Sequence, residues 1–503
     1  MLCKSPRLKG EYQGRDPKLE ACHPPPCLPS LPTSAHKGFG VQWAMLKQVD
    51  KTESKENIVS IETLTNQGEG IARREGKVVF VPFVLPGERV RVRTIESKRD
   101  YDRALPIRIT KTSADRIEAP CPYFGRCGGC HLQHLVYHKQ LEHKRDSLAE
   151  SLQRIGKIEI DLSPIVPSKP FAYRNKIRLF WTGRGDSPLG LRTAARRVEV
   201  LPVESCPLAG DRIQYGCREL SRRLSVALSH GKSLRFKALT VSETETGLAI
   251  TLEGVPPDRA GIGDWRELLS GMEEMGHTSM LVERRKRRLK FKTLLGEPRW
   301  VVPLGKFAVP AGPGTFHQVN PAVAERLYRT VLGWIGTRWD RAVEAYCGTG
   351  TLAMALGGKF REVLAADENR DAIALAISAA KENRSAKVRF YAQSAERFLF
   401  QREILQKKAD LLVLDPPRAG CSPRVMQSIA AKSPRRIIMI SCHPAALARD
   451  LAKLCSIGYQ LVQICGFDMF PQTHHLEVAA VLQTGPSQSA RASKATPEQK
   501  GLP

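Results

Sequence analysis

From residue 312 to residue 483 the chain alternates short apolar runs with Ala- and Leu-rich segments at helical spacing. The runs AVEAY, EVLAAD, VRFYAQ, LLVLD and RIIMISC read as buried strands, and stretches such as LAMALG and AIALAISAAKEN between them read as helices. That order leaves few architectures open. It predicts an α/β fold, a Rossmann-like doubly wound sheet over 311–485. In such a sheet the carboxyl ends of the strands share one edge, and ligands bind there. Whatever stands just past a strand is therefore on the working side.

Several chemically capable residues stand there. The loop CGTGT (347–351) follows the first run, Asp367 ends the second, Asp415 of DPPR ends the fourth, and Cys442 follows the fifth. A free cysteine alone is more often a small hydrophobe than a nucleophile. Its neighbours change the reading. Pro416 and Pro417 remove backbone donors and stiffen the turn that presents Asp415. The last strand of such folds runs antiparallel, so the start of LEVAAVLQ falls at the same edge and brings Glu477 near Cys442. The GTG turn is neither a full dinucleotide fingerprint nor a P-loop. Glu344 inside the first strand and Asp367, placed to accept from both hydroxyls of a ribose, point to S-adenosylmethionine. His474 and His475 are weak metal-ligand candidates, because adjacent side chains diverge.

The rest of the chain divides by pattern. Residues 1–48, rich in Pro and Lys, predict a disordered extension, and Met45 leaves room for a later start; 486–503 predicts a disordered tail. Between 49 and 112, β-rich runs broken by glycines predict a small antiparallel barrel that resembles a TRAM domain, with RREGK and ERVRVR offering phosphate contacts. The remaining 113–310 reads as an α+β central domain. It opens on CPYFGRCGGC (121–130), whose Cys121, Cys127 and Cys130 suit an iron-sulfur cluster or zinc. Cys206 is the natural fourth donor and Cys217 the weaker one; thiolate softness does not separate iron from zinc. FAYRNKIRLFW (171–181) alternates aromatic and basic residues, a surface for unpaired bases or a half-buried strand with solvated cations. ERRKRRLKFK (283–292) is a cationic run.

Charge narrows the partner. Lys and Arg number 78 against 51 acids, a formal net charge of +27, which argues for a polyanion such as nucleic acid. No apolar run is long enough to cross a bilayer and no signal peptide is evident, so the expectation is a cytoplasmic protein, by default a monomer, with its 13 cysteines reduced.

Taken in order, CPYFGRCGGC, TFHQVN, YCGTGT, DPPRAG, ISCHPAALARDL and FDMFPQTHHLEV behind a TRAM-like barrel resemble the RNA 5-methyluridine (uracil-5-) methyltransferases over about 57–483. The cysteine motif and barrel are more similar to the branch acting on large-subunit ribosomal RNA than to the bacterial tRNA branch, which stays an alternative. A non-catalytic RNA-binding or assembly factor is a third reading, disfavoured by intact Cys442 and Glu477. The resemblance implies that Cys442 adds to C6 of a flipped-out uridine, that Glu477 removes the C5 proton, and that Asp415 orients the base near the methyl donor. It places Gln318, Tyr346, Gly348, Thr351, Asp367, Ser394 and Asp415 around S-adenosylmethionine, and Cys121, Cys127, Cys130 and Cys206 around a 4Fe-4S cluster. Four positions depart from the family's habit: His443 for Asn, Ala446 for Thr, Asp367 for Glu, and Ser394 for Asn or Asp.

Overall fold

The computed structural model describes residues 56–484 apart from short gaps at 195–197, 233, 235, 256–258, 271, 273–276, 286–287, 298, 305–306, 337–338, 402–403 and 405–406. The extension expected at 1–48 and the tail at 486–503 lie outside the described residues. So do the side chains of most of the 283–292 run, whose backbone forms a hairpin of His277–Arg285 and Arg288–Leu295.

The amino-terminal module is a six-stranded sheet. Its alternation is the one ERVRVR implies: Val90 and Val92 join Val79, Val81 and Ala104 in the core, while Arg89 and Arg91 face outward. One pair departs from the antiparallel expectation. Lys77–Val81 runs parallel to Tyr101–Lys111, because two chain reversals separate them.

The central module is a seven-stranded sheet built around Lys176–Trp181. Helices Asp211–Ser229 and Arg259–Ser270 cover one face, where Ile177, Leu179, Leu239, Val241, Ile250 and Leu252 pack against Ile213, Leu220, Leu224 and Trp265. The expected pair of strands around the Glu245–Gly247 turn is present as Ala238–Glu243 and Leu248–Glu253.

The carboxyl-terminal sheet holds the functional edge. Its strands are β1 (Trp339–Ala345), β2 (Phe360–Asp367), β3 (Val388–Ala392), β4 (Leu411–Leu414), β5 (Arg436–Ser441), β6 (Tyr459–Phe467) and β7 (Glu477–Thr484). They lie in the order β3-β2-β1-β4-β5-β7-β6. The first five are parallel, and β7 runs antiparallel between β5 and β6. Helices α1 (Thr351–Gly357), α2 (Arg370–Glu382), α3 (Ala395–Leu399), α4 (Pro423–Lys432) and α5 (Pro444–Ser456) connect them. Successive residues of β1 and β5 enter opposite cores: Val343, Ala345, Ile437 and Met439 on one face, Ala342, Ile438 and Ile440 on the other. Burial on both faces is why these strands read as continuous apolar runs. Leu148, Leu152 and Ile165, from well before residue 311, also belong to this core.

The order reverses between β1 and β4. The crevice beyond their carboxyl ends is where a doubly wound sheet leaves room for a ligand, since flanking crossovers leave to opposite faces.

Candidate active site

β1 ends at Ala345, and the chain must then turn sharply into α1. Tyr346 has φ +66°, Gly348 +55° and Gly350 +78°. At Gly350 a Cβ would stand 2.5 Å from the Phe390 ring, so close packing of turn against β3 requires glycine there. Asp367, at the end of β2, holds the turn: Oδ2 accepts from the Gly348 N–H at 2.9 Å and Oδ1 from the Asn369 N–H at 2.8 Å. Asn369 Nδ2 in turn donates to Gly314 O at 3.4 Å, which fastens the loop carrying buried Gln318 to the same edge. Thr351 is buried as the first residue of α1. Ser394 caps α3 by accepting from the Arg397 N–H at 3.4 Å.

A carboxylate cluster fills the crevice floor. Glu344 is buried, and its Oε2 has no hydrogen-bond partner. Burial first, then the charges of Asp415 and Asp367, pushes its pKa well above the usual carboxylate value. Asp415 is half-buried in the stiff turn after β4, and burial plus Asp367 raises it to about 7. Glu477 is only 3% exposed and is raised well above 4.5 by burial and by Asp415, against the pull of Arg418. Acids this close cannot all ionise freely, so near neutral pH they retain protons between them. Tyr328 from helix Pro321–Gly333 stands against Glu344, Asp415 and Glu477, which with burial keep its phenol protonated.

Cys442 follows β5. Ser441 pairs with Val478 across β5 and β7, which sets Cys442 beside Glu477 despite their separation in sequence. Burial, Glu477 and Asp415 raise the thiol, while the Arg418 guanidinium lowers it. Arg418 lies three residues past Asp415, and its Nη2 is 3.4 Å from His475 Nε2. Sequence reasoning named the DPPR turn but gave Arg418 no role, because its value depends on the turn folding back over Cys442. His443 has the role of a cap: its Nδ1 accepts from the Ala446 N–H at 3.2 Å at the start of α5.

The four cysteines also gather, away from Cys442. Cys121, Cys127, Cys130 and Cys206 are all free thiols, and burial with mutual repulsion raises Cys127 to about 11 and Cys130 to about 12. Cys121 is raised by burial and by Cys206. Cys217 is buried in helix Asp211–Ser229 and also senses Cys206. Among the described residues no group of three or more His, Cys, Asp or Glu side chains is arranged to hold a metal ion. That includes His131, His474 and His475, whose rings lie tilted against one another at centroid distances of 4.4 Å and 4.2 Å. The cysteine loop is tied to the loop that precedes Glu477: the N–H groups of His131 and Leu132 both donate to Gln472 O, at 2.9 and 3.0 Å.

Fold and site together define an α/β enzyme with a half-buried thiol, a buried acid cluster and a glycine turn converging on one sheet edge. Residues 136–484 match the tRNA (Uracil-5-)-methyltransferase family and residues 51–106 match the TRAM domain. The 23S rRNA (uracil(1939)-C(5))-methyltransferase RlmD of Shewanella denitrificans is 30% identical over 84% of this chain and 95% of its own. An uncharacterized RNA methyltransferase of Gloeobacter violaceus is 33% identical over 84% and 96%. The crystal structure of the Pyrococcus abyssi tRNA (uracil-54, C5)-methyltransferase with S-adenosyl-L-homocysteine is similar at TM-score 0.65 and 25% identity, covering 84% of this chain and 99% of that one. The chain belongs to the RNA uracil-5-methyltransferase family, with an amino-terminal TRAM domain. Among the described residues no helix is long and apolar enough to cross a membrane.

Proposed function

We propose that this protein methylates C5 of a uridine in large-subunit ribosomal RNA through a covalent bond between Cys442 and C6 of the base. The observation that carries the reading is the convergence of Cys442, Arg418, Asp415 and Glu477 on the crevice beside the glycine turn. Uracil C5 is too weak a nucleophile until addition at C6 makes it enolate-like. Cys442 Sγ supplies that addition as thiolate, with Arg418 favouring the charged form. Asp415 orients the uracil edge. After C5 has accepted its methyl group, Glu477 takes the C5 proton, and re-formation of the C5–C6 double bond expels Cys442. A base must leave its stack to reach such a crevice.

Bound S-adenosylmethionine supplies the electrophilic methyl group. The residues present suit it: Glu344 Oε2 is a buried acceptor without a partner, Asp367 is fixed beside the turn, and Gly348 leaves open backbone. Gln318, Tyr346 and Thr351 complete the expected contacts. Ser394 would contribute only what its capping bond leaves.

Ribosomal RNA is favoured by the likeness to the Shewanella enzyme; the family name and the Pyrococcus enzyme favour tRNA. One experiment separates them. Glu477→Gln protein, incubated with S-adenosylmethionine and either RNA, should retain the methylated adduct as a band that survives a denaturing gel. A wild type that makes no 5-methyluridine in either RNA, with no trapped band, overturns the reading.

We infer further that Cys121, Cys127, Cys130 and Cys206 hold a 4Fe-4S cluster. Burial, with the charges of Cys206 and of one another, raises the pKa of Cys121, Cys127 and Cys130, which marks a site short of positive charge, and a metal centre supplies that charge. Anaerobically purified protein should be brown, and Cys206→Ser should bleach it; colourless protein with stoichiometric zinc would refute the assignment.

A further inference from the structure

The residues just ahead of Glu477 carry two imidazoles that the chemical steps above do not use, His474 and His475. The loop 468–476, between β6 and β7, holds the second of them closely. The His475 N–H donates to Thr473 Oγ1 at 3.2 Å, and the Thr473 hydroxyl donates to Phe470 O at 2.8 Å. Its ring stands edge-on to Phe470 and to His131, at centroid distances of 5.9 and 6.1 Å, and lies tilted against His474 at 4.2 Å. Packed rings leave an imidazole few orientations.

Arg418 is the opposite case. Its side chain is exposed, and a long side chain in solvent samples many rotamers unless something holds it. Among the described residues neither Asp415 nor Glu477 hydrogen-bonds it, although Glu477 feels its charge. The contact that orients it is to His475, whose Nε2 lies 3.4 Å from Nη2. A guanidinium only donates, so this contact requires Nε2 to be the bare nitrogen of a neutral ring, with the proton on Nδ1. The surroundings keep the ring neutral. Burial comes first, then the charges of Arg418, His131, Lys144 and Arg174, and together they lower its pKa to about 4. The loop that delivers Glu477 thus reaches the loop that carries Asp415 at the one residue whose positive charge favours thiolate at Cys442.

We propose that His475 is a positioning residue whose Nε2 anchors the Arg418 guanidinium beside Cys442, so that the nucleophile is activated only when the Glu477 loop is in place. The inference rests on the reading of Cys442 as the nucleophile. Glu477 and Asp415 oppose the thiolate from the same crevice, so a slackened Arg418 leaves Cys442 more fully protonated.

The test needs neither RNA nor turnover. Full-length protein is pulsed with iodoacetamide across a pH series and digested with trypsin, and alkylation is read on the peptide 437–449, in which Cys442 is the sole cysteine. His475→Phe keeps a ring and removes the acceptor; Cys442 should then alkylate about threefold more slowly at neutral pH, with its midpoint moved to higher pH. His475→Gln supplies an amide oxygen near the place of Nε2 and should restore the wild-type profile. On an Arg418→Ala background, His475→Phe should add nothing. Wild-type alkylation in His475→Phe overturns the proposal. So does equal slowing in His475→Gln, which would mean that the ring serves packing alone, or further slowing on top of Arg418→Ala, which would mean that His475 acts by another route. Because the readout is the reactivity of a thiol, failure here is distinguishable from a wild type that methylates no RNA.

Discussion

A thiol that attacks carbon must first lose its proton, and around Cys442 the neighbouring charges pull in opposite directions. Burial, Glu477 and Asp415 favour the thiol; Arg418 favours the thiolate. Removing Arg418 deletes this lowering influence, so the thiol's pKa rises further and less thiolate is present at any given pH. Arg418→Ala should therefore move the acidic limb of the kcat/KM profile to higher pH, measured over a pH series. His443→Asn is the matching control. Because the His443 ring spends Nδ1 on the Ala446 N–H, Asn can replace it as a cap, and the profile should not move. His443→Ala should cost about 1 kcal/mol of stability in urea titrations, the usual worth of a cap. The departure from the family's Asn is thus a change of capping residue. Cys442, Asp415 and Glu477 were readable because sheet-edge logic needs only strand ends. Arg418 and the caps depend on which way a loop turns back, and local pattern carries no trace of that.

At the scale of elements, the turn from Asp415 to Cys421 is positioned by α5 rather than by its own prolines alone. The buried Asp450 carboxylate accepts from the Cys421 N–H at 2.7 Å, and Arg449 Nη2 donates to Ala419 O at 2.8 Å. Gly420, at φ +79°, sits where a Cβ would stand 2.5 Å from Asp450 Oδ2 and closer still to Arg449. Gly420→Ala should push the turn off α5 and displace Asp415 and Arg418 together. The expected result is a loss of kcat on the order of 100-fold, as for a misplacement of about 1 Å, with RNA affinity retained. A variant with near wild-type kcat would show that the turn tolerates the shift. Periodicity announced the central strands β1, β2, β4 and β5, since residues buried on both faces must be apolar. It missed α3, which has five residues, too few to display a helical stripe. It also missed the parallel pair in the barrel, which depends on topology.

On the scale of the molecule, the segment before the central sheet is bound into the catalytic core. Helix Tyr137–Ser151 buries Lys144 completely, and its Nζ donates to Asp468 Oδ1 at 2.5 Å and to Phe470 O at 3.1 Å. The Tyr137 hydroxyl donates to Asp468 Oδ2 at 2.8 Å, and Gln140 exchanges bonds with Gln472. Asp468 and Gln472 lie on the loop that delivers Glu477 to Cys442, so this helix positions Glu477, the base of the proposed mechanism, although it is more than 300 residues away in sequence. Its surface reads as an ordinary charged helix, which is why a buried role for Lys144 was not visible. A buried ion pair adds little net stability, but breaking one leaves an unpaired charge. Lys144→Ala should therefore destabilise the fold by about 3–5 kcal/mol. Lys144→Met with Asp468→Asn removes both charges and should recover most of that loss. If the network acts through the loop, the double variant should still show depressed kcat while the trapped-adduct band becomes fainter. Stability restored together with full kcat would mean that the pair serves the fold alone.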